Sequence, residues 1–269
     1  MKADLKNLAK EVAITTLDIS YKARVGHVGS SLSISDILTV LYFSKMNISK
    51  KSINSNRRDR FILSKGHAAA ALYSVLYLKG LISKKLLYSF GSNEGGLCEH
   101  PEISTPGVEM STGSLGHGLA FSIGIALGLK SLRFIKSRVF VLISDGECGE
   151  GSIWEAALLA PLLRLSNLMV IIDDNRWQCF GPTQKITNLS PLSSKWKSFG
   201  WNVVEIDGHN IQSIVAALKS HTSDGNPTVI IAHTKAGRGV TSIENKQIGH
   251  YKVFSEDEYH RARLELLNL

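Results

Sequence analysis

Cysteine is scarce in this 269-residue sequence: there are three, Cys98, Cys148 and Cys179, with no Cys-x-x-Cys spacing. An odd, unpaired set excludes a zinc ribbon and a disulfide scaffold, and fits a reducing compartment. A membrane-length apolar run is also missing. Residues 1–25 carry Lys2, Asp4, Lys6, Lys10, Glu11, Asp18, Lys22 and Arg24, which leaves no apolar stretch for a signal peptide. The longest apolar stretch, residues 119–129, is broken by glycine and too short to span a bilayer. No repeat, low-complexity segment or long linker is visible. These absences predict a cytoplasmic protein in which residues 1–269 form one domain. Negative charge is under-represented, with 23 Asp and Glu against 31 Lys and Arg and a net charge of +8. The basic pairs Lys50-Lys51, Arg57-Arg58 and Lys84-Lys85 are scattered and not gathered into a stripe with aromatics, so no nucleic-acid partner is expected. An anionic small ligand would gain from the same field.

What is present is ordinary for a globular chain: 43% apolar and 20% charged residues, enough for a substantial core. Residues 3–24 place Leu5, Leu8, Val12 and Leu17 near one helical face. Further helices are expected at 35–41, 67–78 and 116–129, with a Gly-, Pro- and Glu-rich loop over 91–107. The second half alternates more plainly. Apolar runs at 139–143, 168–172, 202–206 and 228–232 read as buried strands, with helices at 153–165 and 211–218 between them. Strand–helix alternation predicts an α/β fold, a doubly wound parallel sheet with helices on both faces.

In such sheets ligands bind at the carboxyl ends of the strands. Two polar residues stand there: Asp145, in Ser144-Asp145-Gly146, and Asn175, after Asp173-Asp174. A carboxylate, an amide oxygen and a nearby carbonyl suit magnesium, which takes hard oxygen ligands and shares its octahedron with phosphates and water. Gly146 would let the backbone approach a diphosphate, and a helix starting near Gly151 would add its positive end. Either polar pair alone is more often a turn.

The surrounding blocks change that weighting. Ser144-Asp145-Gly146-Glu147, Glu150-Gly151-Ser152-Ile153-Trp154-Glu155 and Asp174-Asn175 closely resemble the thiamine diphosphate signature of transketolases. Gly26-His27-Val28-Gly29, Ser64-Lys65-Gly66-His67-Ala68, His100-Pro101, Ser111-Thr112-Gly113-Ser114-Leu115-Gly116 and Thr234-Lys235-Ala236-Gly237-Arg238, followed by His250, resemble further transketolase blocks in the same order. The resemblance implies the diphosphate-binding domain of the thiamine-diphosphate fold. It further implies that Asp145, Asn175 and the Trp177 carbonyl hold Mg2+. Thiamine diphosphate would be held by His67, the backbone of Gly113, Ser114 and Leu115, and Gly146, Glu147, Asn175 and His250. His27, His100 and His250 would meet sugar hydroxyls as catalytic groups. Glu150 would lie at a subunit interface, with Glu155 close to it.

The remaining histidines read as structural or surface residues: His221, His233 and His260, with His209 as a cap for the helix that follows it. Cys148 and Cys179 read as incidental neighbours of the metal loop, and the role of His117 stays open. Three positions depart from the family pattern: Val28 stands where Pro is usual, Ser144 where Gly is usual, and Gly249 where Trp is common. Relative to full transketolases the pyrimidine-binding and C-terminal domains are missing. The resemblance therefore implies a split enzyme, moving a two-carbon ketol unit between sugars or sugar phosphates. Its partner would be a C-terminal transketolase subunit, in an α2β2 assembly with no membrane or nucleic-acid contact. Two alternatives stay open: another thiamine diphosphate enzyme subunit (2-oxo acid dehydrogenase α-like or deoxyxylulose-phosphate synthase-like), or a non-catalytic regulatory subunit.

Overall fold

The computed structural model describes residues 4–93, 95–134, 136–220 and 225–269; His221 lies outside them. Seven strands are numbered in chain order: β1 (Arg60–Leu63), β2 (Val139–Ser144), β3 (Leu168–Asp174), β4 (Trp177–Gln178), β5 (Gly181–Pro182), β6 (Asn202–Asp207) and β7 (Thr228–His233). Five form one parallel sheet in the order β1-β2-β3-β7-β6, and β4 with β5 makes a short antiparallel hairpin. The expected α/β architecture is observed.

Side chains alternate across each strand, and both faces of the sheet are covered. Phe140, Leu142, Met169, Ile171 and Ile230 point into one core, beneath the helices Leu5–Ala23, Ser35–Val40, Ala69–Leu78 and Ile211–Lys219. Val139, Val141, Ile143, Val170, Ile172 and Val229 point into the other, beneath His117–Ser131 and Gly151–Leu162. The central strands are sealed completely: Val139 through Ile143 have 0% exposure. Each fully buried aliphatic side chain contributes roughly 1.5–3 kcal/mol. A third cluster, including Leu17, Leu32, Val240, Phe254 and Leu266, ties the C-terminal helix Glu256–Leu267 to the first helix.

The chain crosses the sheet in one direction from β1 through β3, jumps to the edge at β6, then reverses to β7. Right-handed crossovers in opposite directions put their helices on opposite faces. The pairing of Ser144 with Asp173 and of Asp174 with His233 aligns the strand ends. Asp145 follows at once, its N–H donating to the Asp173 carbonyl at 3.1 Å. Among the described residues, no helix is long and apolar enough to cross a membrane.

Two expected details are corrected. The cap of the helix Ile211–Lys219 is Asn210, whose side chain accepts from Ser213 N–H; His209 instead bridges Asp36 and the Lys235 N–H, each at 2.8 Å. The helix expected over 116–129 runs from His117 to Ser131, because Gly116 has φ +88° and serves as its N-cap.

Candidate active site

The loops leaving the carboxyl ends of β1, β2 and β3 meet the segments 26–30, 98–116 and 247–251. Between them lies a cavity of about 370 Å3. His27, His67, His100 and His250 converge on it from four separate parts of the chain. The ring centroid of His27 is 5.4 Å from that of His67, 6.4 Å from His100 and 5.2 Å from His250, and the His67 and His250 rings are 5.6 Å apart. His27 has φ +63° and its N–H donates to the His250 carbonyl at 2.7 Å, which locks the two loops together. Val28 follows as the first residue of the helix Val28–Leu32 and is wholly buried, so this helix start forms without the usual proline. Ser144 is not among the residues with positive φ, so replacing glycine there imposes no left-handed strain.

Burial sets the electrostatics of the cluster. It pulls His27 down to about 4, helped by the nearby charges of His100 and Lys65. It pulls His250 down to about 4, helped by His27 and Lys65, and holds His67 well below its ordinary value. These imidazoles are neutral at pH 7, each offering one donor and one acceptor nitrogen. Among the described residues no group of three His, Cys, Asp or Glu is placed to hold a metal, so the four rings are not a metal centre.

Gly113, Leu115, Gly146, Asn175 and Trp177 also line this cavity. Asn175 is buried; its amide nitrogen donates to Asp173 at 2.8 Å, and its amide oxygen accepts from the Trp177 N–H at 2.9 Å. Asp145 lies behind the Trp177–Pro182 hairpin and lines an adjoining cavity of about 510 Å3 with Trp177 and Thr183. Its Oδ1 is buried with no hydrogen-bond partner. Burial pushes its pKa up to about 7, against the opposing pull of the Thr183 hydroxyl and the Gly146 N–H and with reinforcement from the Asp174 and Asp173 carboxylates.

The Ser114 side chain is exposed, between Gly113 and Leu115, which line the cavity. Glu147 is completely buried and its carboxylate braces the surrounding loops: Ser64 Oγ, Gly116 N–H (2.8 Å) and Ser144 N–H (3.3 Å) all donate to it. Glu150 is the exposed N-cap of the helix Gly151–Leu162, and Glu155 is exposed on it. His117 is exposed at the start of its helix, and His233 pairs with Asp174 at 2.7 Å.

Ser30, Lys65, Gln178, Cys179 and Tyr251 line the cavity as well, although their sequence pattern does not mark them for it. Ser30 and Lys65 stand inside glycine–histidine blocks, where position is the available signal. Cys179 and Tyr251 carry none. Cys148 is sealed in the core, where burial pushes its thiol well above the ordinary range and leaves it inert.

Residues 5–267 match the family described as transketolase, thiamine diphosphate binding domain. The chain is 38% identical over 251 residues to one subunit of the apulose-4-phosphate transketolase of Phocaeicola vulgatus, covering 93% of this chain and 89% of that one. It is 39% identical over 265 residues to the SqwG subunit of a 6-deoxy-6-sulfo-D-fructose transketolase from a Clostridium species, covering 98% and 96%. The crystal structure of transketolase from Campylobacter jejuni superposes with a TM-score of 0.92 at 32% identity, over 97% of this chain and 42% of that one. The chain belongs to the transketolase family, as a thiamine diphosphate binding domain.

Proposed function

We propose that this chain is the N-terminal subunit of a split transketolase-like transferase, which moves a two-carbon ketol unit between sugars together with a C-terminal partner. The observation that carries this reading is the convergence of four histidines on one cavity at the carboxyl end of the sheet, beside the buried Asp145 of the adjoining cavity, whose Oδ1 has no hydrogen-bond partner. The residues present fit thiamine diphosphate and Mg2+. Asp145 Oδ1 is a buried oxygen without a partner, a state that a cation relieves. Asn175 and the Trp177 carbonyl complete a hard-oxygen donor set of the kind Mg2+ takes. Gly66 keeps the cavity wall close: a Cβ there would lie 2.7 Å from the Thr112 carbonyl.

When bound, thiamine diphosphate supplies the nucleophilic carbon for cleaving and re-forming the carbon–carbon bond. The chain's own groups bind, orient and move protons. Gly113, Leu115, Gly146 and His67 would hold the cofactor from the cavity wall. His27 and His250, as neutral imidazoles, would accept hydrogen bonds from sugar hydroxyls at one ring nitrogen and donate at the other, and His100 would meet the same hydroxyls. The net charge of +8 favours an anionic sugar. The names of both relatives, one a phosphate and one a sulfo sugar, agree with that class.

An exposed apolar face supports the partner. Leu158, Leu159 and Leu162 on the helix Gly151–Leu162, with Phe121 and Leu127 on His117–Ser131, are open to solvent, and Leu162 is 78% exposed. Apolar groups clustered on packed neighbouring helices mark an interface. Glu150 and Glu155 flank this face, and an α2β2 assembly in the cytoplasm is the arrangement we infer. The test is reconstitution. With Mg2+, thiamine diphosphate, a ketose donor and an aldose acceptor, the purified chain should transfer nothing by itself. Adding its C-terminal partner should restore transfer. Turnover by the lone chain would end the split-enzyme reading.

A further inference from the structure

Behind the cavity, Lys65 and Asp173 form an ion pair with no solvent exposure on either side chain, at 2.5 Å. Such a pair is a poor stabiliser, because desolvating both charges offsets much of their attraction, and apolar replacements are often neutral or better. Its connections are geometric. Lys65 Nζ also donates to the Ser30 carbonyl at 3.1 Å, and Ser30 lines the cavity. Asp173 Oδ2 accepts from Ser33 Oγ at 2.8 Å and from Asn175 Nδ2 at 2.8 Å, while Thr234 Oγ1 donates to Oδ1. One carboxylate thus joins the segment after His27, the loop after β1, the end of β3 and the loop after β7.

We propose that Lys65 and Asp173 are positioning residues for the metal and diphosphate site, acting through Asn175 and Ser30. The critical contact is the Asn175 amide. An amide can enter a site either way round, and only its oxygen ligates a hard cation. Asp173 Oδ2, which accepts from the amide nitrogen at 2.8 Å, selects the nitrogen end. The oxygen end is thereby turned toward the loop of Trp177, whose N–H it accepts at 2.9 Å. Lys65 holds Asp173 Oδ2 in place from the sealed side and fixes the Ser30 backbone with the same ammonium. Groups of this kind behind metal ligands typically change metal affinity 10–100-fold when removed.

The inference rests on reading Asn175 as a metal ligand, and the experiment separates the two. Thiamine diphosphate is titrated calorimetrically into the native assembly at a series of Mg2+ concentrations, beside thermal unfolding of each variant. Lys65→Met or Asp173→Leu alone should lower the unfolding midpoint sharply, because each leaves a buried charge unpaired. The double variant Lys65→Met/Asp173→Leu leaves no unpaired charge but deprives Ser33, Thr234 and Asn175 of their acceptor; it should recover part of that midpoint, yet need roughly ten- to a hundredfold more Mg2+ for cofactor binding. A structural pair would recover both together, so wild-type Mg2+ dependence in the folded double variant overturns the inference. If that variant does not fold, Lys65→Gln/Asp173→Asn keeps neutral hydrogen bonds and removes the charge. It should show a several-fold rise, and wild-type dependence there overturns the inference equally. Asp145→Ala serves as the control for the metal reading: near-native Mg2+-dependent binding in it would reject that reading itself, independently of the pair.

Discussion

Three of the imidazoles, His27, His67 and His250, stay neutral together because burial disfavours the charged form of each. His27 and His250, both brought down to about 4, carry no charge at pH 7 and do not repel one another. Neutrality also lets each ring accept a hydrogen bond, which an imidazolium cannot do. If His100 and His250 face the sugar, their loss should be read in catalysis and not in assembly. His100→Ala should lower kcat/KM for the sugar by about 10²–10⁴-fold, the usual contribution of a positioned acid or base, with little change in cofactor affinity. His250→Ala should lower both, since its ring stands beside His67 as well as His27. Steady-state kinetics beside cofactor titration would decide, and wild-type kinetics in both variants would make these histidines structural. The identities of the four were legible from their glycine-rich blocks. The bracing role of Glu147 was not, because a motif does not say which donors a carboxylate will meet.

At the scale of elements, the strands with long apolar runs were readable and the shorter pieces were not. β2, β3, β6 and β7 each contain an expected strand. β1 has four residues, of which only Phe61, Ile62 and Leu63 are apolar, too few to set a period. The C-terminal helix was not among the expected ones: it starts on a capping box of Ser255 and Glu258, but its apolar patterning is weak. The helices His117–Ser131 and Gly151–Leu162 show a different limit. They are apolar on nearly every side, which from sequence reads as full burial. In the fold one side of each packs on the sheet, while Leu158, Leu159 and Leu162 remain exposed. Leu159→Glu/Leu162→Glu should therefore leave the chain's own unfolding midpoint within a few degrees and weaken association with the partner at least tenfold, about 1.4 kcal/mol. Sedimentation of the mixed subunits measures this. Unchanged association would show that the partner docks elsewhere.

For the whole molecule, the buried histidines make stability depend on pH in a definite direction. In the unfolded chain His27 and His250 return to about 6.5; in the fold they titrate at about 4. Between those values the unfolded state binds protons that the folded state refuses. Stability then rises with pH and is lost as pH falls through the window from 6.5 to about 4. Asp145, raised to about 7, acts in the opposite sense over the same window, so the histidine contribution is read as a difference: between about pH 7 and 4.5 the thermal midpoint of the wild type should fall relative to that of His27→Gln/His250→Gln. An identical slope in that variant would mean these rings are not held neutral by the fold.

Strand and helix type, the strand-end polar residues and the order of the glycine–histidine blocks were determined by the sequence itself. Periodicity, turn residues and caps are local, and a one-dimensional pattern carries them in full. What only the tertiary structure decided is which charges meet and which apolar groups stay open. Lys65 and Asp173 lie 108 positions apart, and nothing near either residue names the other. The same holds for Ser33 and Thr234, which reach Asp173 from 140 and 61 positions away. Pairing and exposure follow from how the crossovers stack the loops at one end of the sheet, and that stacking depends on the packing of every layer at once.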